Sequence, residues 1–224
     1  MGFHARIDHL VVGAASLEQG VAWCEATLGV VPGPGGEHAF MGTHNRLLRI
    51  ATVDFPRAYF EIIAVQPGRA AQRPRRWFDL DDEALRDRLR REGPRLLHYV
   101  ASVPDVRAAA RAWQELGIER GEAVAASRET PRGLLQWQIT IRPDGQRLFE
   151  GVLPTLIEWG ATHPAAAMPE SGVTLRSLGA THPQAARLRS AHEAIGLEAV
   201  TLEEGPAQLR ALLETPRGRV TLAS

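Results

Sequence analysis

Within "RIDHLVVGAAS" (residues 6–16), Ile7, Leu10, Val11 and Val12 form a short apolar run that reads as a buried strand. Asp8 and His9 interrupt it. An unpartnered polar group inside such a strand costs about 1–3 kcal/mol, so the His9 imidazole needs a hydrogen bond or a metal. After the strand, "SLEQGVAWCEATLG" carries Ser16 as a helix cap, an amphipathic stretch with Trp23, and a Leu-Gly stop at Gly29. A Gly/Pro turn, "VPGPGGEH", a strand around "NRLLRIA", and the apolar run "YFEIIAV" (59–65) follow. The order is β-α-β-β-β.

The same order returns. "HYVASVPDVRAAARAWQELG" (98–117) again opens on His. Asp105 replaces Ser16 as the cap, Trp113 replaces Trp23, and Gly117 replaces Gly29. "GEAVAAS", "LLQWQITI" and "LPTLIEWG" then supply three strands. Tyr59, Gln136, Trp137 and Gln138 are candidate wall residues. A third unit with the same element order closes the chain: "GVTLRSL", a helix through Gly196, then "LEAVTLE", "LRALLET" and "RVTLA". Thr181 reads as its helix cap, and Thr174 stands where the first two units have His. The expected division is therefore a first module at 1–66, an Arg/Pro-rich connection with a short helix at 67–95, a second module at 96–165, and a structural third unit at 166–224. In the connection, Leu85 and Leu89 mark the apolar side of the helix.

Formal charge is zero, which argues against nucleic-acid or membrane partners. The single cysteine, Cys24, excludes an intramolecular disulfide frame and shows no activating neighbour. No leader pattern or long apolar run is apparent, so a soluble cytoplasmic protein is expected. The chain has no lysine, which removes Schiff-base chemistry and a Walker-type phosphate lysine.

Four polar residues occupy matching places in the first two units: His9 with Glu61, and His98 with Glu158. A buried carboxylate neutralises unless something favours its charge, and a divalent cation does so. Two imidazoles and two carboxylates suit Zn, Ni, Fe, Mn or Co and leave positions open for a substrate. The competing reading is ordinary hydrogen bonding: Asp8 as the acceptor for His9, and Glu158 as the partner of an arginine.

The repeat, with "IDHLVV", "GGEHAFMGTHN", "YFEIIAV" and "LIEWG" followed by His163-Pro164, resembles the vicinal oxygen chelate superfamily, and within it the glyoxalase-like domain family. The resemblance implies an α+β fold of paired βαβββ modules of the glyoxalase, bleomycin-resistance and dioxygenase type, forming a cup around one divalent metal ion (Zn, Ni, Mn or Fe). It places His9, His98 and Glu158 as metal ligands and Glu61 as the fourth. It implies a lyase, isomerase or epimerase acting on a small oxygenated molecule by metal-assisted enolisation, with Glu158 or Glu61 as base. The alternatives are an extradiol-type dioxygenase and a metal-free binding or resistance protein. The stretch 36–45 is expected to line the mouth, with His38, His44 and Asn45 on the substrate and His163 at the rim; a plain hairpin is the competing reading. The expected partner is a small-molecule substrate; a homodimer is left open.

Overall fold

The computed structural model describes residues 4–130 and 133–224; the start of the first predicted module, residues 1–3, lies outside them. The first module is β1 (Arg6–Gly13), α1 (Leu17–Leu28), β2 (Gly33–His38), β3 (Thr43–Arg49) and β4 (Tyr59–Val65). The connection carries α2 (Glu83–Glu92). The second module is β5 (Arg95–Ser102), α3 (Val106–Glu115), β6 (Glu122–Thr130), β7 (Gly133–Ile141) and β8 (Thr155–Trp159). The third unit is β9 (Thr174–Thr181), α4 (Ala185–Ala194), β10 (Val200–Glu203), β11 (Gln208–Thr215) and β12 (Gly218–Ala223). The α+β architecture expected from the repeat is present.

The caps explain the helix starts and stops. Ser16 accepts from the Gln19 amide, and Asp105 from the Ala108 amide. Gly29 ends α1 at φ 77°, a conformation that other residues resist.

Both modules share one eight-stranded sheet in the order β2-β3-β4-β1-β5-β8-β7-β6. Its centre is the antiparallel pair β1/β5, and each of these strands runs parallel to the last strand of its own module. The arrangement has approximate two-fold symmetry about the β1/β5 seam. One face carries α1 and α3 over Leu10, Val12, Phe60, Ile62 and Tyr99. The other face curls into a cup.

The third unit keeps the element order of the modules but not their pairing. Its sheet runs β10-β9-β11-β12, so the helix returns the chain to a neighbour of its own first strand. In the modules the corresponding strand goes to the sheet edge. The helix begins after Gln184, and Thr181 ends β9 instead of capping α4. This unit packs on the helical face of the large sheet. Trp113 donates its indole N–H to the Ala191 carbonyl at 2.7 Å, and the Tyr99 hydroxyl lies 3.0 Å from His192 Nε2. The third unit therefore seals the back of the cup.

The connection enters the cup. Trp77, Phe78, Leu80, Leu85 and Leu89 pack against Val11, Val100, Ile139 and Ile157 of the sheet. Arg147 Nε donates to Asp79 at 2.7 Å and holds the segment in place. Phe78, at φ 59°, is buried over the second module's half of the floor. Phe78→Ala should cost about 3–5 kcal/mol, as deletion of a buried aromatic ring does; denaturant unfolding of the variant checks this.

Candidate functional site

The site begins with a fault in strand pairing. Ile7 pairs with Ala101 and His9 with Val100, so β1 advances two residues where β5 advances one. This bulge turns Asp8 onto the cup face beside His9, while Ile7 stays in the helical core. His9 thus shares its face with Asp8 and Val11, not with Ile7 as simple alternation predicts.

Asp8 is fully buried and accepts three side-chain hydrogen bonds. His9 Nδ1–H donates at 2.7 Å, Trp159 Nε1–H at 2.9 Å and His163 Nε2–H at 3.0 Å. The Ala165 amide donates to His163 Nδ1, which fixes the tautomer that serves Asp8. Burial pushes the Asp8 carboxyl upward, but the hydrogen bonds from His163 and His9 outweigh it and hold the group well below the usual carboxylate range. An ionised Asp8 keeps a proton on His9 Nδ1 and turns Nε2 toward the cavity. Tyr59 stacks on the His9 ring, with centroids 4.5 Å apart, and fixes its plane.

His9 Nε2 faces Glu61 Oε2 at 3.6 Å. The other oxygen of Glu61 is held by Asn45 Nδ2–H at 2.5 Å. The same amide nitrogen lies 3.3 Å from His38 Nε2, and Asn45 Oδ1 accepts from the Gly36 amide at 2.8 Å. His38 Nδ1 is 3.0 Å from Thr43 Oγ1. The 36–45 stretch is the β2–β3 hairpin, with its turn closed on the His38 carbonyl. Its alternation sends Thr43 and Asn45 into the cup and His44 to the other face, near α1. His44 is therefore not a residue of this cavity.

These groups line a cavity of about 50 Å³, room for a few waters or the reactive end of a small molecule. Trp77, Trp137 and Trp159 supply apolar wall, and Arg128 reaches it from β6. His163 stands behind Asp8 and is not part of the wall. Of the glutamines on β7, Gln138 faces outward and binds Arg107 of α3.

The second half of the cup is different. His98 Nδ1–H donates to the Gly151 carbonyl at 2.8 Å, and the Thr155 amide donates to Nε2 at 3.0 Å. Both ring nitrogens are thereby used. The Arg120 guanidinium bonds Thr155 Oγ1 and the Pro154 carbonyl and lies 3.4 Å from His98 Nε2. Burial, with Arg120 adding to it, keeps the imidazole pKa well below its ordinary value. Register explains the missing carboxylate. Val11, two residues beyond His9, pairs with Glu61; Val100, two beyond His98, pairs with Thr155. Thr155 thus occupies the place of Glu61. Glu158 lies three residues further, an odd step that turns it to the helical face. There it accepts from the Val106 amide at 2.9 Å, at the start of α3.

The structure brings together His9, Glu61, His38 and Asn45, and does not bring His98 or Glu158 to them. The divalent metal implied by the resemblance does not fit this donor set. His98 has no free lone pair, a guanidinium stands beside it, and Glu158 points away. Among the described residues, no group of three or more His, Cys, Asp or Glu side chains is placed to hold a metal ion. Cys24 lies in the helical core, where burial pushes its thiol up to about 12. No helix among the described residues is long and apolar enough to cross a membrane.

Sequence reasoning named Asp8 as an acceptor for His9, which it is, but missed its bonds to Trp159 and His163, and missed Trp77 and Arg128. The Asp-His dipeptide was the available signal for Asp8; nothing local marked Trp77 or Arg128.

Comparison with known proteins bears on the fold. The family model described as glyoxalase-like domain matches residues 7–196. A hypothetical protein from Staphylococcus aureus is similar in structure, with TM-score 0.61 and 12% identity, over 91% of this chain and 87% of that chain. A variant of Streptomyces coelicolor methylmalonyl-CoA epimerase, solved with 2-nitronate-propionyl-CoA, gives TM-score 0.43 and 18% identity over 72% and 99% of the two chains. A mutant of 4-hydroxymandelate synthase from the same organism gives 0.48 and 13% over 99% and 63%. No curated protein matches the chain.

Acid sensitivity follows from this cluster. Burial lowers His38 from the ordinary 6.5 to about 4, against the opposing pull of Glu61. An unfolded chain takes up the proton near pH 6.5, the folded one only near 4, so stability is complete above 6.5 and falls as pH drops toward 4. The loss from His38 alone should be on the order of 3 kcal/mol. Denaturant unfolding at both ends of that range checks this, and His38→Gln should flatten the slope.

Proposed function

We propose that this chain, which belongs to the glyoxalase-like domain family, moves a proton at a carbon next to a carbonyl in a small oxygenated molecule, as an isomerase, epimerase or lyase. The observation that supports this most is the pair His9 Nε2 and Glu61 Oε2, 3.6 Å apart, on the cavity wall. Each is backed on its far atom: Asp8 holds His9 Nδ1, and Asn45 holds Glu61 Oε1. That is how an acid–base pair is kept in one tautomer and one rotamer.

In the proposed step, His9 Nε2 takes the proton from the carbon. The C–H pair becomes the enolate double bond as the carbonyl π pair moves to oxygen. The imidazolium that forms is stabilised by the buried Asp8 carboxylate, which stays ionised. Glu61 Oε2 stands within reach to accept or return a proton. Asn45 positions Glu61. This reading keeps the enolisation chemistry implied by the resemblance, keeps Glu61 among the proton-moving groups and puts His9 in place of Glu158. An extradiol dioxygenase site would need His98 and Glu158 beside His9, and neither stands there.

The test is deuterium exchange. Chelator-treated protein in D₂O is mixed with small 2-oxo acids, 2-hydroxy acids and 1,2-dicarbonyls, and exchange at the adjacent carbon is followed by NMR. Wild type should catalyse exchange for at least one compound, and His9→Ala and Glu61→Gln should slow it by roughly 10²–10⁴. Binding without exchange would mean a binding protein. Exchange that vanishes with the chelator would return the chemistry to a metal.

A further inference from the structure

Arg128 is the cation of this cavity. It stands on β6, which forms one edge of the eight-stranded sheet; β2 forms the other edge. The cup curls far enough for the two edges to meet at this side chain. A Cβ built on Gly36 of β2 would lie 1.9 Å from Arg128 Nη1. Only a residue without a side chain lets the guanidinium lie there.

Among the described residues, Arg128 makes no hydrogen bond or ion pair. The carboxylates nearest in the cavity network, Asp8 and Glu61, are held by other donors. A half-buried guanidinium at a cavity mouth with its donors unclaimed fits a planar anion, which it can grip at two points. A second donor is also unclaimed: the buried indole N–H of Trp77, which lines the same cavity. The remaining wall near Arg128 is apolar, with Leu135, Trp137 and Trp159. The cavity is thus polarised, with the Asp8 anion behind His9 and the Arg128 cation on its wall. A small molecule with one carboxylate enters such a field in one orientation.

We infer that Arg128 binds the substrate's carboxylate, and that the substrate class is a small monocarboxylate with a carbonyl or hydroxyl beside that group. The inference rests on reading this cavity as the reaction site, and it specifies what the site selects. With the carboxylate at Arg128, the neighbouring carbon is presented toward His9 and Glu61. Gly36 is then a specificity residue: it keeps the place where the guanidinium lies.

The experiment separates binding from turnover. Affinity is measured by calorimetry for 2-oxobutanoate and its uncharged amide, then for other two- to six-carbon monocarboxylates. The expected result is binding of a carboxylate, no binding of the matching amide, and a loss of about 30-fold or more in Arg128→Gln. Gly36→Ala should weaken the same binding while its melting temperature stays near wild type, because its methyl meets the movable end of an arginine. Arg46→Gln, an exposed cation on β3, should leave binding unchanged. Equal binding of acid and amide, an unchanged affinity in Arg128→Gln, or no binding of any carboxylate in the set would overturn the inference. Carboxylate binding that depends on Arg128 without deuterium exchange would keep the anchor and reject the proton-transfer reading.

Discussion

A carboxylate without water must find its hydrogen bonds in the protein, and the way Asp8 does so organises the cavity-bearing half of this molecule. Its three donors come from β1, the end of β8 and the turn beyond it. Two of these lie in the second module, so satisfying one charge also ties the modules together across their seam. The same bonds fix a tautomer. With Asp8 ionised, His9 donates from Nδ1 to it and turns Nε2 toward Glu61. Structure and chemistry are here a single constraint. Removing the charge would leave three buried donors facing each other and would release the imidazole.

The symmetry of the fold makes the other half informative. His98 is the counterpart of His9, yet its ring is saturated by the Gly151 carbonyl and the Thr155 amide. Thr155 stands where Glu61 stands in the first module, and Arg120 brings the positive charge that a cation would otherwise bring. Phe78 then covers the imidazole, with ring centroids 5.4 Å apart. This half of the cup is a packed wall. The two copies of the module therefore differ: the first carries the cavity and its polar cluster, the second a packed wall. The connection and third unit complete that division, one filling the cup and the other sealing its back.

Element order was readable from the chain, because caps, Leu-Gly stops and apolar runs are local signals. Ser16, Asp105, Gly29 and Gly117 act through their own backbone neighbours, and their sequence context suffices. What failed was parity. Strand faces alternate with a period of two, so a bulge at Asp8 or an offset of three at Glu158 reverses the outcome without changing the apparent pattern. His44 was misplaced for a related reason: the 36–45 stretch is paired strand, and pairing sends it to the face opposite Asn45. The third unit shows the same limit one level higher, since identical element order allows a different strand pairing. Arg128 was invisible for another reason. Its role depends on the meeting of sheet edges built from residues far apart, and a lone arginine among many carries no mark of that.

The charge distribution bears on the direction of the chemistry. Asp8 is held ionised by its hydrogen bonds, so in the proposed step it is already charged when His9 takes up a proton. Under that proposal the interaction between them is stronger in the charged intermediate than in the resting state, which is the condition for lowering a barrier instead of only tightening binding. His38, kept neutral by burial, adds no competing positive charge beside Glu61. Tyr59 is also held in its neutral form, by burial first and then by Asp8 and Glu61, so the ring stacked on His9 adds no negative charge. The groups around His9 are thus held in fixed charge states, Asp8 as an anion and His38 and Tyr59 as neutral rings.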